Sequence, residues 1–300
     1  MRCEDIMQKL KNEIRKIYYN MVPYEQRTRR GIQKIKNDYK RALRRGELTE
    51  YRKECEFLIN DHTDSHKMIP YEFYDECLEE VGRIEVCRSV ENLAYVNYED
   101  KKLFFPGDLS DDEIRKSYAI LLAEQDVRSP HRYFSDINMP VKDSIFVDIG
   151  AAEGIVALHF VDKVAKVYLI ESEKRWLSAL KATFDGYQNV EILSAFIGSP
   201  QNGGVLLSDV VAENKNLVIK MDIEGNEMAA LSGMGNILSE KTNKYAICTY
   251  HKHNDAAEIS KIFETKGIHY EYSSGYMFMP SSEKGQFPFF RHGVIRGVKN

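Results

Sequence analysis

Apolar residues recur at helical steps through the first third of this chain, then contract into short runs. Residues 4–19 place Ile6, Leu10, Ile14 and Ile17 three or four apart, which predicts an amphipathic helix ending before Pro23. From about Gln26 to Leu48 the stripe thins to Ile32, Ile35, Tyr39 and Leu43, a helix able to pack on one side only. Helical patterns continue over Tyr51–Asn60 and Tyr71–Val81. Beyond Arg83 the period shortens. Tyr95–Tyr98 and Lys102–Phe105 read as a hairpin, and Ser110 followed by Asp111, Asp112 and Glu113 caps a helix running to about Gln125.

From Ile145 onward strands and helices alternate. Ile145-Phe146-Val147, Val167–Ile170, Val190–Leu193, Leu217–Asp222 and Tyr245–Tyr250 are apolar strand-length runs. Helices are predicted after the first, at Lys174–Phe184, from about Glu224, and through Ile259, Ile262 and Phe263. Such alternation calls for a mostly parallel α/β sheet with right-handed crossovers. Tyr270–Tyr272 and Tyr276–Met279, separated by Ser273-Ser274-Gly275, read as a closing antiparallel hairpin. The organisation expected is a helical, basic extension over 1–90, a hairpin-and-helix linking segment over 91–140, and a ligand-binding α/β domain over 141–300, with the boundary near Met139-Pro140.

Composition adds exclusions. Among 300 residues no apolar run is long enough to cross a membrane, and Met1–Asp5 lacks the apolar core of a signal peptide. Five scattered cysteines with no Cys-x-x-Cys argue for reduced thiols, hence a cytoplasmic protein with neither disulfide framework nor structural zinc. Charge is uneven. Met1–Arg45 holds 14 Lys and Arg against 5 Asp and Glu, a balance of +9 where the whole chain carries −4, so the remainder carries −13. A basic arm ahead of an acidic body suits a membrane surface, an acidic saccharide, the body itself, or a merely solvated helical face. No nucleic acid is expected as a partner.

The candidate chemistry centres on Asp148-Ile149-Gly150-Ala151-Ala152-Glu153-Gly154, a glycine-bearing turn between strand and helix. A dinucleotide fingerprint would need glycine where Ala152 stands, because pyrophosphate requires close backbone approach there. S-adenosylmethionine has no phosphates and tolerates this turn. Asp148 suits its cationic amino-acid end, and Glu171, 23 residues on at the next strand end, can accept from both ribose hydroxyls.

These residues, with Val218–Glu227 (Val-Ile-Lys-Met-Asp-Ile-Glu-Gly-Asn-Glu) and Thr249-Tyr250-His251, resemble the FkbM family of S-adenosylmethionine-dependent methyltransferases from about Val96 to the C-terminus. Ala152 departs from the asparagine usual in that family. The resemblance implies a class I, Rossmann-like methyltransferase fold. It also implies S-adenosyl-L-methionine as cofactor and O-methylation of a hydroxyl on a sugar or glycan precursor. The expected cofactor residues are Asp148, Gly150, Ala152, Glu153, Gly154 and Glu171. His251, with an unperturbed pKa near neutrality, is the candidate general base, with Asp222 or Glu224 orienting it or taking the proton. Arg128, His131 and Arg132 are candidate substrate-binding residues, suited to an acidic sugar. Lys220 on a buried strand needs a carboxylate, from Asp222 or Glu227. His251, His253 and Asp222 offer a small metal set, but imidazoles are poor ligands for Mg²⁺, and no metal is expected. Two other readings stand beside this one: a non-catalytic methyltransferase-fold module in a glycan-assembly complex, and an NAD-dependent oxidoreductase.

Overall fold

The computed structural model describes residues 24–63, 67–90, 92–213, 215–280 and 286–299. The helix expected over 4–19, and Asp64, Ser65 and His66 of the acidic, histidine-bearing loop, lie outside them. Among the described residues no helix is long and apolar enough to cross a membrane. The chain divides at Pro70 into two compact units.

The first unit contains α1 (Tyr24–Arg44) and α2 (Arg52–Asn60). Ile32 and Tyr39 of the thin stripe are buried, while Ile35 and Leu43 are half-buried. Lys36 joins the buried side and donates from Nζ to the Asp61 carbonyl. Asp61 closes on Thr63, accepting from its N–H at 3.0 Å and from its hydroxyl, and pairs with Lys67 at 3.2 Å. This part of the loop is turn chemistry.

The second unit opens with α3 (Glu72–Glu79) and a three-stranded antiparallel sheet, β1 (Cys87–Arg88), β2 (Ala94–Tyr98) and β3 (Lys101–Phe104). Next is α4 (Asp111–Glu124). Its cap is the reciprocal one expected: Ser110 Oγ accepts from the Glu113 N–H, and Glu113 accepts from the Ser110 N–H at 2.8 Å. The hairpin-and-helix segment thus belongs to the same unit as the main sheet.

That sheet is built by β4 (Ile145–Ile149), α5 (Ile155–Phe160), β5 (Lys166–Ile170), α6 (Lys174–Thr183), β6 (Val190–Leu193), α7 (Leu207–Val210), β7 (Leu217–Met221), α8 (Glu227–Ser232), β8 (Lys244–Cys248), α9 (Asp255–Lys266), β9 (His269–Tyr272) and β12 (Val294–Val298). Its order is β6-β5-β4-β7-β8-β12-β9. The first five are parallel, and β12 runs antiparallel between β8 and β9. Strands β4, β7 and β8 are central and almost wholly buried, as continuous apolar runs in a two-sided parallel sheet should be. Reversal of strand order on either side of β4 opens a crevice beyond the carboxyl ends of β4 and β7, where ligands of such sheets bind.

Two expectations need correction. The closing hairpin is absent: β9 pairs with β12, and β10 (Met277–Phe278) pairs instead with β11 (Phe290–Arg291) in a separate two-stranded sheet. Ser273 does not turn the chain back. Its hydroxyl donates to the Pro130 carbonyl at 2.5 Å and its N–H to the Val294 carbonyl at 2.8 Å, which ties it to other segments. The helix expected from Glu224 begins at Glu227, because Glu224 and Gly225 have φ of 53° and 89° and form a left-handed turn.

Candidate active site

Every candidate catalytic and cofactor residue sits at the carboxyl end of β4, β5, β7 or β8. The turn after β4 is shaped by contacts within the protein. A Cβ on Gly150 (φ 78°) would lie 2.0 Å from the Asp222 carbonyl oxygen. One on Gly154 (φ 81°) would meet Phe184 at 2.8 Å. Glycine at 150 therefore lets β4 and β7 approach each other, which is a different reason from ligand clearance. Ala152 is also left-handed, with φ 45°. Its N–H donates to Glu171 Oε2 at 2.9 Å, and the Glu173 N–H donates to Oε1 at 2.7 Å, so Glu171 is fixed at the crevice with lone pairs remaining on both oxygens.

Asp148, expected to meet the cofactor's cationic end, meets a cation of the protein itself. It is buried and pairs with Lys220 Nζ at 2.9 Å. Lys220 also donates to the Gly150 carbonyl at 2.7 Å and lies 5.2 Å from the Tyr133 ring centre. Asp148, rather than Asp222 or Glu227, is thus the ion partner of this lysine, and the pair staples the turn to β7. Burial opposes the ammonium, but Asp148 and Asp222 hold its pKa above the usual range. Glu153 is buried, and burial pushes its carboxyl up to about 7, partly countered by its own backbone and by Lys220.

The catalytic candidates converge on Asp222. His251 Nε2 lies 3.4 Å from Asp222 Oδ1 and 3.5 Å from Glu224 Oε2, and its Nδ1 lies 2.9 Å from Glu227 Oε1. Burial disfavours the imidazolium, yet Glu227, Asp222 and Glu224 outweigh it, so the His251 pKa is raised. Glu227 is fully buried and ties the loop together by accepting from the N–H groups of Ile223 at 3.1 Å and Gly225 at 3.3 Å. Glu224 is 91% exposed, free to meet an incoming ligand.

A second histidine reaches Asp222 from the other side. His131 Nε2 lies 3.4 Å from Oδ2, Tyr133 donates to the same oxygen at 2.7 Å, and Tyr250 hydrogen-bonds His131 Nε2 at 3.1 Å. Glu124 Oε2 stands 3.9 Å behind, at His131 Nδ1. Although burial resists ionisation, His131, Lys220 and His251 keep the Asp222 pKa well below the carboxylate range.

The other substrate candidates separate from this group. Arg128 is exposed, held by Asp126 at 2.9 Å and Glu76 at 3.2 Å over the Phe73 ring. Arg132 lines a cavity of about 220 Å³ with Tyr98, Gln125, Phe134, Ile155 and His159. His253 is exposed and takes no part in the cluster. Tyr133, Glu124 and Glu227 are site residues that sequence reasoning did not select as such. Only the Glu-Gly-x-Glu spacing pointed to Glu227.

No protein-family model and no curated protein matches the chain. Among solved structures it is similar to the methyltransferase FkbM from Methylobacillus flagellatus, with 19% identity and a TM-score of 0.43 over 65% of this chain and 56% of that one. It is also similar to an rRNA methylase from Streptococcus thermophilus (18%, TM-score 0.36, 53% and 89%) and to the Methanococcus jannaschii fibrillarin pre-rRNA processing protein (18%, TM-score 0.38, 72% and 97%). The fold is a Rossmann-like class I methyltransferase fold, defined by its strand order and its antiparallel β12.

Proposed function

We propose that this protein is an S-adenosylmethionine-dependent methyltransferase acting on a hydroxyl, with a sugar or glycan precursor as acceptor. The observation that carries the reading is the division of labour along the sheet. Glu171 and the Gly150–Gly154 turn stand at the ends of β5 and β4, where an adenosine would lie, and Asp222 and His251 stand at the ends of β7 and β8. The cofactor supplies the methyl group. The protein aligns the acceptor oxygen in line with it and removes the hydroxyl proton as the bond forms.

His251 is the base in this scheme. Glu227 fixes its orientation from Nδ1, leaving Nε2 toward the crevice. Because its pKa is raised, the free base accumulates toward alkaline pH, so transfer should speed up as pH rises. The family resemblance is what favours a glycan acceptor. The open Glu224 side is compatible with a polar acceptor. Incubation with radiolabelled S-adenosylmethionine and a panel of glycans tests the reading. Label in a glycan hydroxyl supports it, and label confined to RNA or protein acceptors contradicts the acceptor class.

A further inference from the structure

The cavity of about 220 Å³ that Arg132 lines takes no part in the methyl-transfer scheme. Its walls are mostly apolar: Phe134 and Phe160 meet edge to face at 5.1 Å, and Leu122 of α4 remains 40% exposed there. No acidic side chain lines it. Among the described residues the half-buried Arg132 guanidinium makes no hydrogen bond or ion pair, and it is the Arg132 carbonyl that accepts from Arg296 at 2.7 Å. Asp126, whose carboxyl feels Arg132, is already held by Arg128 at 2.9 Å. Gln125 lines the same cavity, and its Oε1 accepts from the Tyr133 N–H at 3.4 Å, which leaves its amide protons over. The other polar pair is occupied. Lys163 donates to His159 Nε2 at 3.0 Å, and the Tyr98 hydroxyl bonds Nδ1 at 2.8 Å.

A guanidinium without a counter-charge, at the wall of an apolar cavity, calls for an anion. We propose that this cavity binds a small carboxylic acid with an apolar body, such as an aryl or short acyl carboxylate. Arg132 and Gln125 take the carboxylate, and Phe134 and Phe160 take the body. The guanidinium fork matches a carboxylate with two parallel hydrogen bonds. A phosphate would bring a second charge, and no second lysine or arginine lines the cavity to meet it. An acidic sugar, the ligand first expected at Arg132, would bury its hydroxyls against leucine and phenylalanine without partners. The volume falls below the ~300–1,000 Å³ of drug-sized pockets, so the acid must be small. The site rests on the cavity and on Arg132, and it stands whether or not the crevice transfers methyl groups.

The test is calorimetry on the full chain with benzoate, and with benzamide, glucuronate and inorganic phosphate for comparison. Benzoate should bind once per chain with sub-millimolar affinity, at least ~10-fold tighter than uncharged benzamide, because the charged hydrogen bonds to Arg132 are lost in the amide. Arg132→Leu should weaken benzoate by ~10-fold or more. Crystals of the unaltered protein soaked with 4-bromobenzoate should place the bromine beside Phe134 and Phe160 and the carboxylate at Arg132, a result that does not depend on how the variant folds. Four outcomes overturn the site: no benzoate heat at about millimolar ligand, tighter binding of glucuronate or phosphate than of benzoate, unchanged affinity in Arg132→Leu, or bromine located elsewhere.

Discussion

Glu227 stands directly behind His251, its buried Oε1 2.9 Å from Nδ1, while Nε2 on the far side of the ring faces Asp222 at 3.4 Å. The carboxylate fixes the ring and also charges it. An NMR titration should therefore place the His251 pKa above that of an unperturbed imidazole. Glu227→Gln should lower it, because the largest favourable contribution to the imidazolium is removed. In sign, the stabilisation from protonated His251 is present below the unfolded-state pKa and fades as pH rises through the folded one. An unchanged titration in the variant would remove Glu227 from its positioning role.

Glu171 is the cofactor residue whose loss should be felt most. Glu171→Gln keeps the shape and some hydrogen bonding but loses the charge, whereas Glu171→Ala also strands the Ala152 and Glu173 N–H groups. Calorimetry with S-adenosylhomocysteine should show about tenfold weaker binding or worse for Ala, from a loss of ~1.5–3 kcal/mol for hydrogen bonds to a charged group. His251→Ala should bind within about twofold of the unaltered protein. Equal losses in both variants would merge two sites that the geometry keeps apart.

Ala152 carries strain. A non-glycine residue at φ 45° costs ~1–2 kcal/mol, and asparagine bears this conformation better than alanine. Ala152→Asn should stabilise the fold by ~0.5–1 kcal/mol in urea unfolding. Gly150→Ala should do the opposite and more strongly. It adds the left-handed cost and drives a methyl into the Asp222 carbonyl, for ~3 kcal/mol or more. A tolerated alanine at 150 would mean that β4 and β7 do not approach as described.

Glu153 should make the ligand-free protein less stable as pH rises. Its folded pKa of about 7 exceeds the ordinary 4.5, so the folded state binds the extra proton. Its favourable contribution is whole below the unfolded pKa and declines up to neutrality, by at most ~3 kcal/mol. Glu153→Gln should flatten that part of the profile and be the more stable protein at pH ~8. Parallel profiles for the two proteins would contradict the buried acid.

The sheet was legible because its strands are continuous apolar runs and its turn carries glycines at positions that backbone contact requires. The Lys-x-Asp-x-Glu-Gly-x-Glu segment pointed to Asp222 and Glu224 before their contacts were known, and held Glu227 only as a possible partner of Lys220. What was hidden depends on distance along the chain. His131 was a substrate candidate, but its contact with Asp222, about ninety residues further on, and that of Tyr133 were not foreseen, because no local pattern says that the segment ahead of β4 folds back onto β7. Asp148 looked like a ligand residue at a strand end, yet β7 lies alongside in parallel register with Lys220 opposite it. The closing hairpin was misjudged because Val294–Val298, the strand that takes the place between β8 and β9, lies beyond the Ser-Ser-Gly turn that suggested it.

Binding of S-adenosylhomocysteine to the full chain is the measurement that bears most directly on the account. Calorimetry should give one site per chain, with micromolar affinity on the order of −8 kcal/mol and strong loss on Glu171→Ala. No heat at about millimolar ligand, where binding of about −4 kcal/mol would still register, would contradict a methyltransferase assignment for this crevice.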